Sequence, residues 1–208
     1  MGERSRTGLL VDWGGVLTTS VFDSFSAFCA TEGLAPDTVR DAFMRDPAAR
    51  ALLVGLETGT VPESDFEPRL CAALGLADAR AAGLIDRLFG GMRADDAMLG
   101  AVRAARRAGV RTGLISNSWG ADRYDPGLVD ELFDAVVISG RERIRKPDPR
   151  MYVLGAERLG VAPAACVYVD DLPGNLKPAR ALGMATVHHV DAARTVVELQ
   201  ALLGLRLS

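Results

Sequence analysis

The sequence is poor in lysine and histidine, and it has no apolar run long enough to cross a membrane. Only two lysines, Lys146 and Lys177, and two histidines occur among its 208 residues. The net charge is −3, so nothing indicates the clustered basic surface of a nucleic-acid-binding protein. We therefore expect neither nucleic acid nor a membrane as a partner.

Cysteine is also scarce. Cys29, Cys71 and Cys166 are far apart and match neither a disulfide framework nor a zinc-binding spacing. The first eight residues are polar and lack the apolar core of a signal peptide. These features predict reduced cysteines that pack in the interior, and a cytoplasmic location.

The apolar stretch Leu9–Val11 ends abruptly at Asp12 and is followed by two glycines, Gly14 and Gly15. A short apolar run bounded by such a turn signal is typical of a buried strand. Asp12 would then lie at the carboxyl end of that strand, where open α/β sheets place their ligands. Taken alone, Asp12 is equally typical of a turn residue, so the rest of the chain has to decide.

The periodicity of the chain changes twice. Helical spacing of apolar residues runs from about residue 19 to residue 93, and helices then alternate with short apolar runs. Alternating strands and helices imply a parallel sheet with right-handed crossovers. We therefore predict an α/β fold with a core of residues 1–18 and 94–208 and an inserted helical cap of residues 19–93. Further strands are predicted at residues 110–115, 135–138, 166–169 and 185–188.

Polar residues follow three of these strands, and a lysine lies in the loop before the fourth. They are Asp12, Ser116–Asn117, Lys146 and Asp170–Asp171. A carboxylate can attack phosphorus, and a lysine and a divalent cation with oxygen ligands can neutralise the charge. A serine hydroxyl can bind phosphoryl oxygens. Each residue alone is more typical of a loop or a helix cap, but together at one sheet edge they favour a phosphate site.

The order of these residues resembles the four motifs of the haloacid dehalogenase (HAD) superfamily. The resemblance covers nearly the whole chain, including the position of the helical insertion. It is closest to the phosphatase domain of soluble epoxide hydrolases. The segments that carry this resemblance are 114–119, Lys146–Pro147 and, as the longest match, 169–180.

The resemblance implies an HAD-like Rossmannoid core with a helical cap, and magnesium-dependent hydrolysis of a small phosphorylated substrate. Asp12 would be the nucleophile and Ser116 would bind the phosphoryl group. Lys146 would orient the nucleophile and stabilise charge. Asn117 and Trp119 would lie near the substrate.

The resemblance also implies a Mg²⁺ site. Asp12, the backbone carbonyl of Gly14 and Asp171 would be its direct ligands, and Asp170 would support them. Gly14 is the departure from the superfamily pattern, because phosphatases carry a second Asp there that protonates the leaving group and then activates water. Loss of a general acid typically costs about 10²- to 10⁴-fold in rate. The sequence therefore fits a weakened or specialised phosphatase. It also fits a protein that has lost catalytic activity and only binds a ligand or another protein.

Two other activities of the superfamily do without that second Asp. Phosphonoacetaldehyde hydrolases need a cap lysine for a Schiff base, and residues 19–93 contain no lysine. Dehalogenases need no magnesium and usually lack the paired acids seen at Asp170–Asp171, so a dehalogenase-type hydrolase is the weaker alternative. The residues that could replace the acid and base missing at Gly14 are Thr18, Thr19, Asp23, Glu57, His188 and His189.

Overall fold

The computed structural model describes residues 6–120 and 123–207. Five strands of this part of the chain form a parallel sheet. The strands are β1 (Gly8–Val11), β2 (Arg111–Ser116), β3 (Ala135–Ile138), β4 (Cys166–Asp170) and β5 (Ala185–His188). Their order across the sheet is β3-β2-β1-β4-β5, so the first strand lies at the centre. The predicted α/β fold with a parallel sheet is confirmed.

The register of the three central strands determines where the polar residues meet. Val11 of β1 is paired with Leu114 of β2 and with Val169 of β4. Asp12, the residue after Val11, donates its backbone N–H to the carbonyl of Val169 at 3.0 Å. The carboxyl ends of β1, β2 and β4 therefore lie side by side at one edge of the sheet.

Helices cover both faces of the sheet, because alternate residues of each buried strand point to opposite sides. The helices of this part of the chain are α6 (Asp96–Arg107), α7 (Pro126–Leu132), α8 (Ser139–Glu142), α9 (Pro149–Leu159), α10 (Pro173–Ala181) and α11 (Ala192–Leu203). Leu9 and Val11 pack in one apolar cluster with residues of α6 and α11, whereas Leu10 packs in a second cluster with residues of α9 and α10. No helix of the described residues has the length and apolarity that a membrane span requires.

Residues 21–89 form a helical insert between β1 and α6. Its side chains build an apolar cluster of their own, with Phe25, Phe66 and Leu70 among its buried members. All residues of this segment are described, and none of them belongs to a strand. The division of the chain at residues 18/19 and 93/94 stays a prediction. The helices of the insert are α1 (Val21–Glu32), α2 (Thr38–Arg45), α3 (Pro47–Glu57), α4 (Glu63–Ala73) and α5 (Leu84–Phe89).

The two connections between the insert and the sheet run side by side. Thr18 and Ala94 form an isolated antiparallel bridge. The N–H of Thr19 donates to the carbonyl of Arg93 at 2.8 Å, and the N–H of Arg93 donates to the hydroxyl of Thr19 at 3.1 Å. The insert is therefore joined to the sheet next to the loop that carries Asp12.

Candidate active site

A cavity of about 680 Å³ lies between the carboxyl ends of the central strands and the helical insert. The strands contribute Asp12, Ser116 and Asp171 to its lining, and the loop before α9 contributes Lys146. Residues that are more than 100 positions apart in the chain are thus brought to one place, as the predicted sheet requires.

Lys146 is buried between two carboxylates. Its Nζ lies 2.8 Å from Oδ1 of Asp12 and 2.8 Å from Oδ2 of Asp170, and the residue is 1% exposed. Burial alone would lower the pKa of this ammonium, but the charges of Asp12 and Asp170 raise it. An ammonium buried this deeply is stable only because it is paired. Lys146 therefore carries a fixed positive charge at the floor of the cavity.

Asp12 is held by one of its two oxygens. Oδ1 accepts a hydrogen bond from the backbone N–H of Trp13 at 2.7 Å and contacts Lys146 Nζ. Within the described residues, no donor is recorded for Oδ2, which leaves that oxygen for a ligand. Burial and the nearby carboxylates of Asp170 and Asp171 raise the pKa of Asp12 to about 7, against the opposing effect of Lys146.

Asp170 is fully buried, and protein donors occupy both of its oxygens. Oδ1 accepts from the N–H of Leu172 at 2.9 Å and from Nδ2 of Asn175 at 2.9 Å. Oδ2 accepts from Lys146 at 2.8 Å and from the hydroxyl of Tyr168. Burial alone would raise its pKa, but the Lys146 ammonium and these donors hold it below its usual value. Asp170 is thus a support for its neighbours.

Asp171 differs from Asp170 because, among the described residues, only its own backbone N–H donates to its carboxylate, which leaves capacity for a ligand. Burial and the charge of Asp170 raise its pKa to about 6. Its Oδ2 approaches Gly15 so closely that a β-carbon there would lie 2.5 Å away, and Gly15 has a positive φ of 74°. Only glycine fits this turn without displacing the carboxylate.

Carboxylate oxygens of Asp12, Asp170 and Asp171 all lie within 4.8 Å of one another. Oxygen donors of this kind suit a hard divalent cation. Because Asp170 is saturated by protein donors, Asp12 and Asp171 are the carboxylates with capacity for a cation. Gly14 lines the same cavity, and its carbonyl as a ligand stays a prediction.

The two polar residues at the end of β2 have different contacts. The hydroxyl of Tyr124 donates to Oγ of Ser116 at 2.9 Å, so the Ser116 proton is available for a ligand. Asn117, which was predicted to lie near the substrate, lines the cavity, but both ends of its amide bind Lys146. The N–H of Lys146 donates to Oδ1 at 2.8 Å, and Nδ2 donates to the Lys146 carbonyl at 3.2 Å. Asn117 thereby fixes the backbone of the lysine.

Trp119 joins the strand edge to the helical insert. Its ring lies 5.0 Å from that of Phe89 and 5.6 Å from those of Phe25 and Phe43, measured between centroids. All four rings line the cavity. Trp119 therefore belongs to the lining of the cavity, and its position near a substrate stays a prediction.

The six candidates for the missing acid differ in whether they line the cavity. Within the described part of the chain, the cavity lining includes Thr18 and Glu57 but not Thr19, Asp23, His188 or His189. His188 contacts the carbonyl of Asp171 at 3.0 Å and is exposed, whereas His189 is buried against the hydroxyl of Thr195.

Sequence reasoning missed four contacts of the site. Tyr168 and Asn175 support Asp170, Tyr124 supports Ser116, and Arg145 forms an ion pair with Glu57 of the helical insert. Asn175 lies within the longest matched segment, so its position was a usable signal. The other three partners are distant in sequence or point inward from a strand, and nothing in the sequence marks them.

The fold is that of an α/β protein, because helices cover both faces of a parallel sheet. Its carboxylates and buried lysine lie at the carboxyl ends of the central strands, where such proteins bind their ligands. The model of the haloacid dehalogenase-like hydrolase family matches residues 7–183. The chain belongs to this family of hydrolases, as its motif order predicts.

Several curated proteins are similar in sequence. The chain is 30% identical over 214 residues to acyl-CoA dehydrogenase family member 10 of Mus musculus, covering 99% of this chain and 20% of that protein. It is 32% identical over 131 residues to bifunctional epoxide hydrolase 2 of Sus scrofa, covering 60% and 24%. It is 28% identical over 151 residues to sesquiterpene phosphatase astK of Aspergillus oryzae, covering 71% and 77%. The chain spans about a fifth to a quarter of the mouse and pig relatives.

Solved structures have the same fold. A predicted HAD-like family hydrolase of Porphyromonas gingivalis superposes with a TM-score of 0.73 at 24% identity, covering 98% of this chain and 100% of that one. An HAD family enzyme of Bacteroides thetaiotaomicron, crystallised with magnesium and inorganic phosphate, superposes with a TM-score of 0.62 at 20% identity, covering 86% and 92%. At these identities the likeness shows the fold alone.

The free carboxylate of Asp171 leads to a first prediction. Replacing even a supporting residue of a metal site typically lowers affinity by about 10- to 100-fold, so Asp171→Ala should weaken Mg²⁺ binding by at least about 100-fold. Protons compete for the same oxygens, so wild-type affinity should fall as the pH drops from 8 to 5, through the raised pKa values of about 7 for Asp12 and about 6 for Asp171.

Calorimetric titration of the protein with Mg²⁺ at both pH values measures these effects. Glu198→Gln is a suitable control, because it removes an exposed carboxylate of α11. Equal Mg²⁺ affinity in Asp171→Ala and the control variant would show that Asp171 is not a ligand.

Proposed function

We propose that this protein is a magnesium-dependent phosphatase that hydrolyses a small phosphate monoester through an aspartyl-phosphate on Asp12. The observation that carries the proposal is the group Asp12–Lys146–Asp170 beside the free carboxylate of Asp171, at the floor of one cavity. This group combines a held nucleophile, a buried positive charge and oxygen ligands for a cation. These are the components that transfer of a phosphoryl group to a carboxylate requires.

The contacts of Asp12 suit a nucleophile. The Trp13 N–H and the Lys146 ammonium both bind Oδ1, so Oδ2 is oriented towards the cavity without a recorded protein donor. A carboxylate held in one orientation loses little further entropy when it attacks. The Lys146 ammonium and the Ser116 hydroxyl supply positive charge and a hydrogen bond for the phosphoryl oxygens, and Asn117 keeps Lys146 in place.

The donor set fits Mg²⁺. Asp12, Asp171 and the carbonyl of Gly14 would hold the ion, and Asp170 would support them from its own saturated network. When bound, Mg²⁺ would neutralise part of the charge of the phosphate and of the attacking carboxylate. It would also favour the ionised form of Asp12, whose pKa is raised to about 7 without it.

The absence of a carboxylate at Gly14 makes this phosphatase weakened or specialised. A poor leaving group needs a proton as its bond to phosphorus breaks, and Gly14 cannot provide one. The proton must therefore come from the substrate, from water or from another residue of the cavity. The rate on a given phosphate ester depends on how well that source is positioned.

The walls of the cavity favour a phosphate ester with an apolar group. Phe25, Phe43, Leu53 and Phe89 line it above the polar floor. The mouth carries large apolar side chains that are exposed to solvent, among them Phe22 with 41% and Met44 with 65% of its surface exposed. Exposed apolar groups around a cavity mark it as a site for apolar ligands. A sesquiterpene phosphatase among the relatives is consistent with such a substrate.

A series of alkyl phosphates tests this proposal. Each methylene buried in an apolar site contributes about 0.8 kcal/mol, so kcat/KM should rise roughly two- to fourfold per methylene from methyl to octyl phosphate. Phe22→Ala should flatten the rise, and it should leave the value for methyl phosphate unchanged because Phe22 lies at the mouth.

The same assay separates the phosphatase from its alternatives. Phosphate release should require Mg²⁺ and stop when EDTA is added. If alkyl phosphates bind but none of the series releases phosphate, the result would favour a ligand-binding protein without catalytic activity. Release of halide from a haloacid with EDTA present, and no release of phosphate, would favour the dehalogenase type.

A further inference from the structure

We propose that Glu57 of the helical insert is the general acid and base of the reaction, in place of the carboxylate missing at Gly14. This inference rests on the proposed phosphatase function. It assigns to a residue of the helical insert a role that family members with the second Asp assign to the nucleophile loop.

The position of Glu57 is the first support. Three carboxyl-bearing residues of the described chain line the cavity: Asp12, Asp171 and Glu57. Asp12 and Asp171 belong to the nucleophile and the cation site, so Glu57 is the one left for proton transfer. It lies at the end of α3 on the side of the insert, and the leaving group must depart from phosphorus on the side opposite Asp12. A leaving group that points into the insert therefore points to the wall that carries Glu57.

The anchoring of Glu57 is the second support. The residue is 5% exposed, although glutamate is rarely buried. The hydroxyl of Ser139 donates to its backbone carbonyl, and its Oε2 forms an ion pair with Nε of Arg145, the residue before Lys146. The turn that follows α3 packs against α8 of the sheet-bearing part of the chain, because a β-carbon on Gly59 would lie 2.7 Å from the Gly140 carbonyl oxygen. Glu57 is thus fixed relative to Lys146 and hence to Asp12.

The electrostatics agree with a proton-transfer role. Burial raises the pKa of Glu57 to about 7, against the opposing charges of Arg145 and Lys146. Within the described residues, these two cations are the charged groups recorded as facing it. A group with a pKa near the working pH can both give and take a proton. Thr18, the other candidate in the cavity, has a hydroxyl that cannot do so at neutral pH.

The proton balance has two halves. As Asp12 Oδ2 bonds to phosphorus and the ester P–O bond breaks, the Glu57 carboxyl gives its proton to the departing oxygen and becomes a carboxylate. That carboxylate then takes a proton from a water molecule whose oxygen attacks the phosphorus of the aspartyl-phosphate. Phosphate leaves, the Asp12 carboxylate is restored, and Glu57 is again protonated. The sum is hydrolysis of the ester by one water molecule.

The test compares wild type and Glu57→Gln on two Mg²⁺-supported substrates, octyl phosphate and p-nitrophenyl phosphate. Glutamine keeps the shape and the contact with Arg145 but cannot transfer a proton. For octyl phosphate, whose alkoxide is a poor leaving group, kcat/KM should fall by about 10²- to 10⁴-fold. For p-nitrophenyl phosphate, which needs little protonation, kcat/KM should change by less than about fivefold.

The second half of the reaction has its own readout. Without a base, hydrolysis of the aspartyl-phosphate becomes slow, so Glu57→Gln should release a burst of nitrophenol close to one equivalent per protein, followed by slow turnover. The pH profile of kcat/KM for octyl phosphate should also lose its limb near pH 7. A residue that only positions the Arg145–Lys146 loop would lower kcat/KM equally for both esters and produce no burst.

Two further variants complete the test. Asp23→Asn removes an exposed carboxylate of α1 outside the cavity and should behave as wild type. Gly14→Asp should restore much of the activity of Glu57→Gln on octyl phosphate. Backbone strain does not oppose this change, although Val21 must shift, because a β-carbon on Gly14 would lie 2.9 Å from it.

Two results would overturn the role of Glu57: an equal loss of kcat/KM on the two esters, or no rescue by Gly14→Asp in a double variant that is folded and binds Mg²⁺. In either case, turnover by the wild type would still support the phosphatase function. A wild type that is inactive on both esters with Mg²⁺ would instead overturn the phosphatase function, and this inference with it.

Discussion

Asp12→Asn should lower Mg²⁺-dependent phosphate release by on the order of 10⁴-fold or more, as loss of a covalent nucleophile does in other hydrolases. Asparagine has the shape of aspartate, so the fold should be retained, but its amide cannot bond to phosphorus. The variant should also fail to bind beryllium fluoride, a mimic of the phosphoryl group on a carboxylate. Phosphate-release kinetics and ¹⁹F NMR with Mg²⁺ and beryllium fluoride measure the two effects.

Glu198→Gln is again the control, because its carboxylate is exposed on α11. It should keep both the activity and the beryllium fluoride signal of the wild type. If Asp12→Asn keeps more than a tenth of the wild-type rate, the chemistry takes place on another residue.

Lys146→Met should abolish turnover and also destabilise the protein. The substitution leaves the carboxylates of Asp12 and Asp170 buried without the ammonium that lies 2.8 Å from each. Breaking a buried ion pair by removing one partner costs about 3–5 kcal/mol of unfolding free energy. In a protein of this size that corresponds to roughly 6–20 °C in Tm, which thermal unfolding in metal-free buffer measures.

The pH dependence of this loss has a definite sign. Without the lysine, the already raised pKa of Asp12 should rise further, and the pKa of Asp170 should change from below to above its value in the unfolded chain, because burial then acts without an opposing charge. Raised carboxyl pKa values favour the folded state at low pH, and that benefit is lost as pH rises through them. The loss in Tm should therefore be smaller at pH 5 than at pH 8.

The chain offers a matched control in Lys177, the second of its two lysines, which is exposed in α10. Lys177→Met should change neither Tm nor turnover. If Lys146→Met unfolds at the same temperature as Lys177→Met at pH 8, Lys146 does not stabilise the two carboxylates.

The sheet and the residues at its edge were predictable because each strand is a short apolar run that stops at a polar residue. The predicted strand 135–138 matches β3, and 166–169 is one residue shorter than β4, which includes Asp170. In a parallel sheet the carboxyl ends share one edge, so Asp12, Ser116 and Asp170 had to meet once the strands were placed. Lys146 lies in a loop that has no regular pattern of its own, and the family motifs supported its place beside these residues.

The partners of these residues were not predictable in the same way. Asn117 is predicted to lie near the substrate and does line the cavity, but nothing in the sequence indicates that both ends of its amide bind the backbone of Lys146, 29 positions away. Tyr168 has the apolar alternation of a strand residue, and nothing in that pattern says that its hydroxyl reaches Asp170. Such contacts depend on side-chain packing between elements, which the periodicity of one element does not encode.

The position of Glu57 shows the same limit. The sequence places it on a helix, among six candidates for the missing acid. Its pairing with Arg145 and its place in the cavity depend on how the helical insert lies over the strand ends. Conversely, histidine is a common general acid or base in enzymes, yet neither His188 nor His189 lines the cavity in the described chain.

Chemical trapping of the intermediate tests the central claim most directly. Wild-type protein turning over octyl phosphate with Mg²⁺ is quenched in acid and treated with borohydride, which reduces an acyl phosphate to an alcohol, and peptides are then sequenced by mass spectrometry. The account predicts homoserine at position 12, only when both substrate and Mg²⁺ are present. Phosphate release with no reduced residue, or with the reduced residue at Asp170, Asp171 or Glu57, would contradict it.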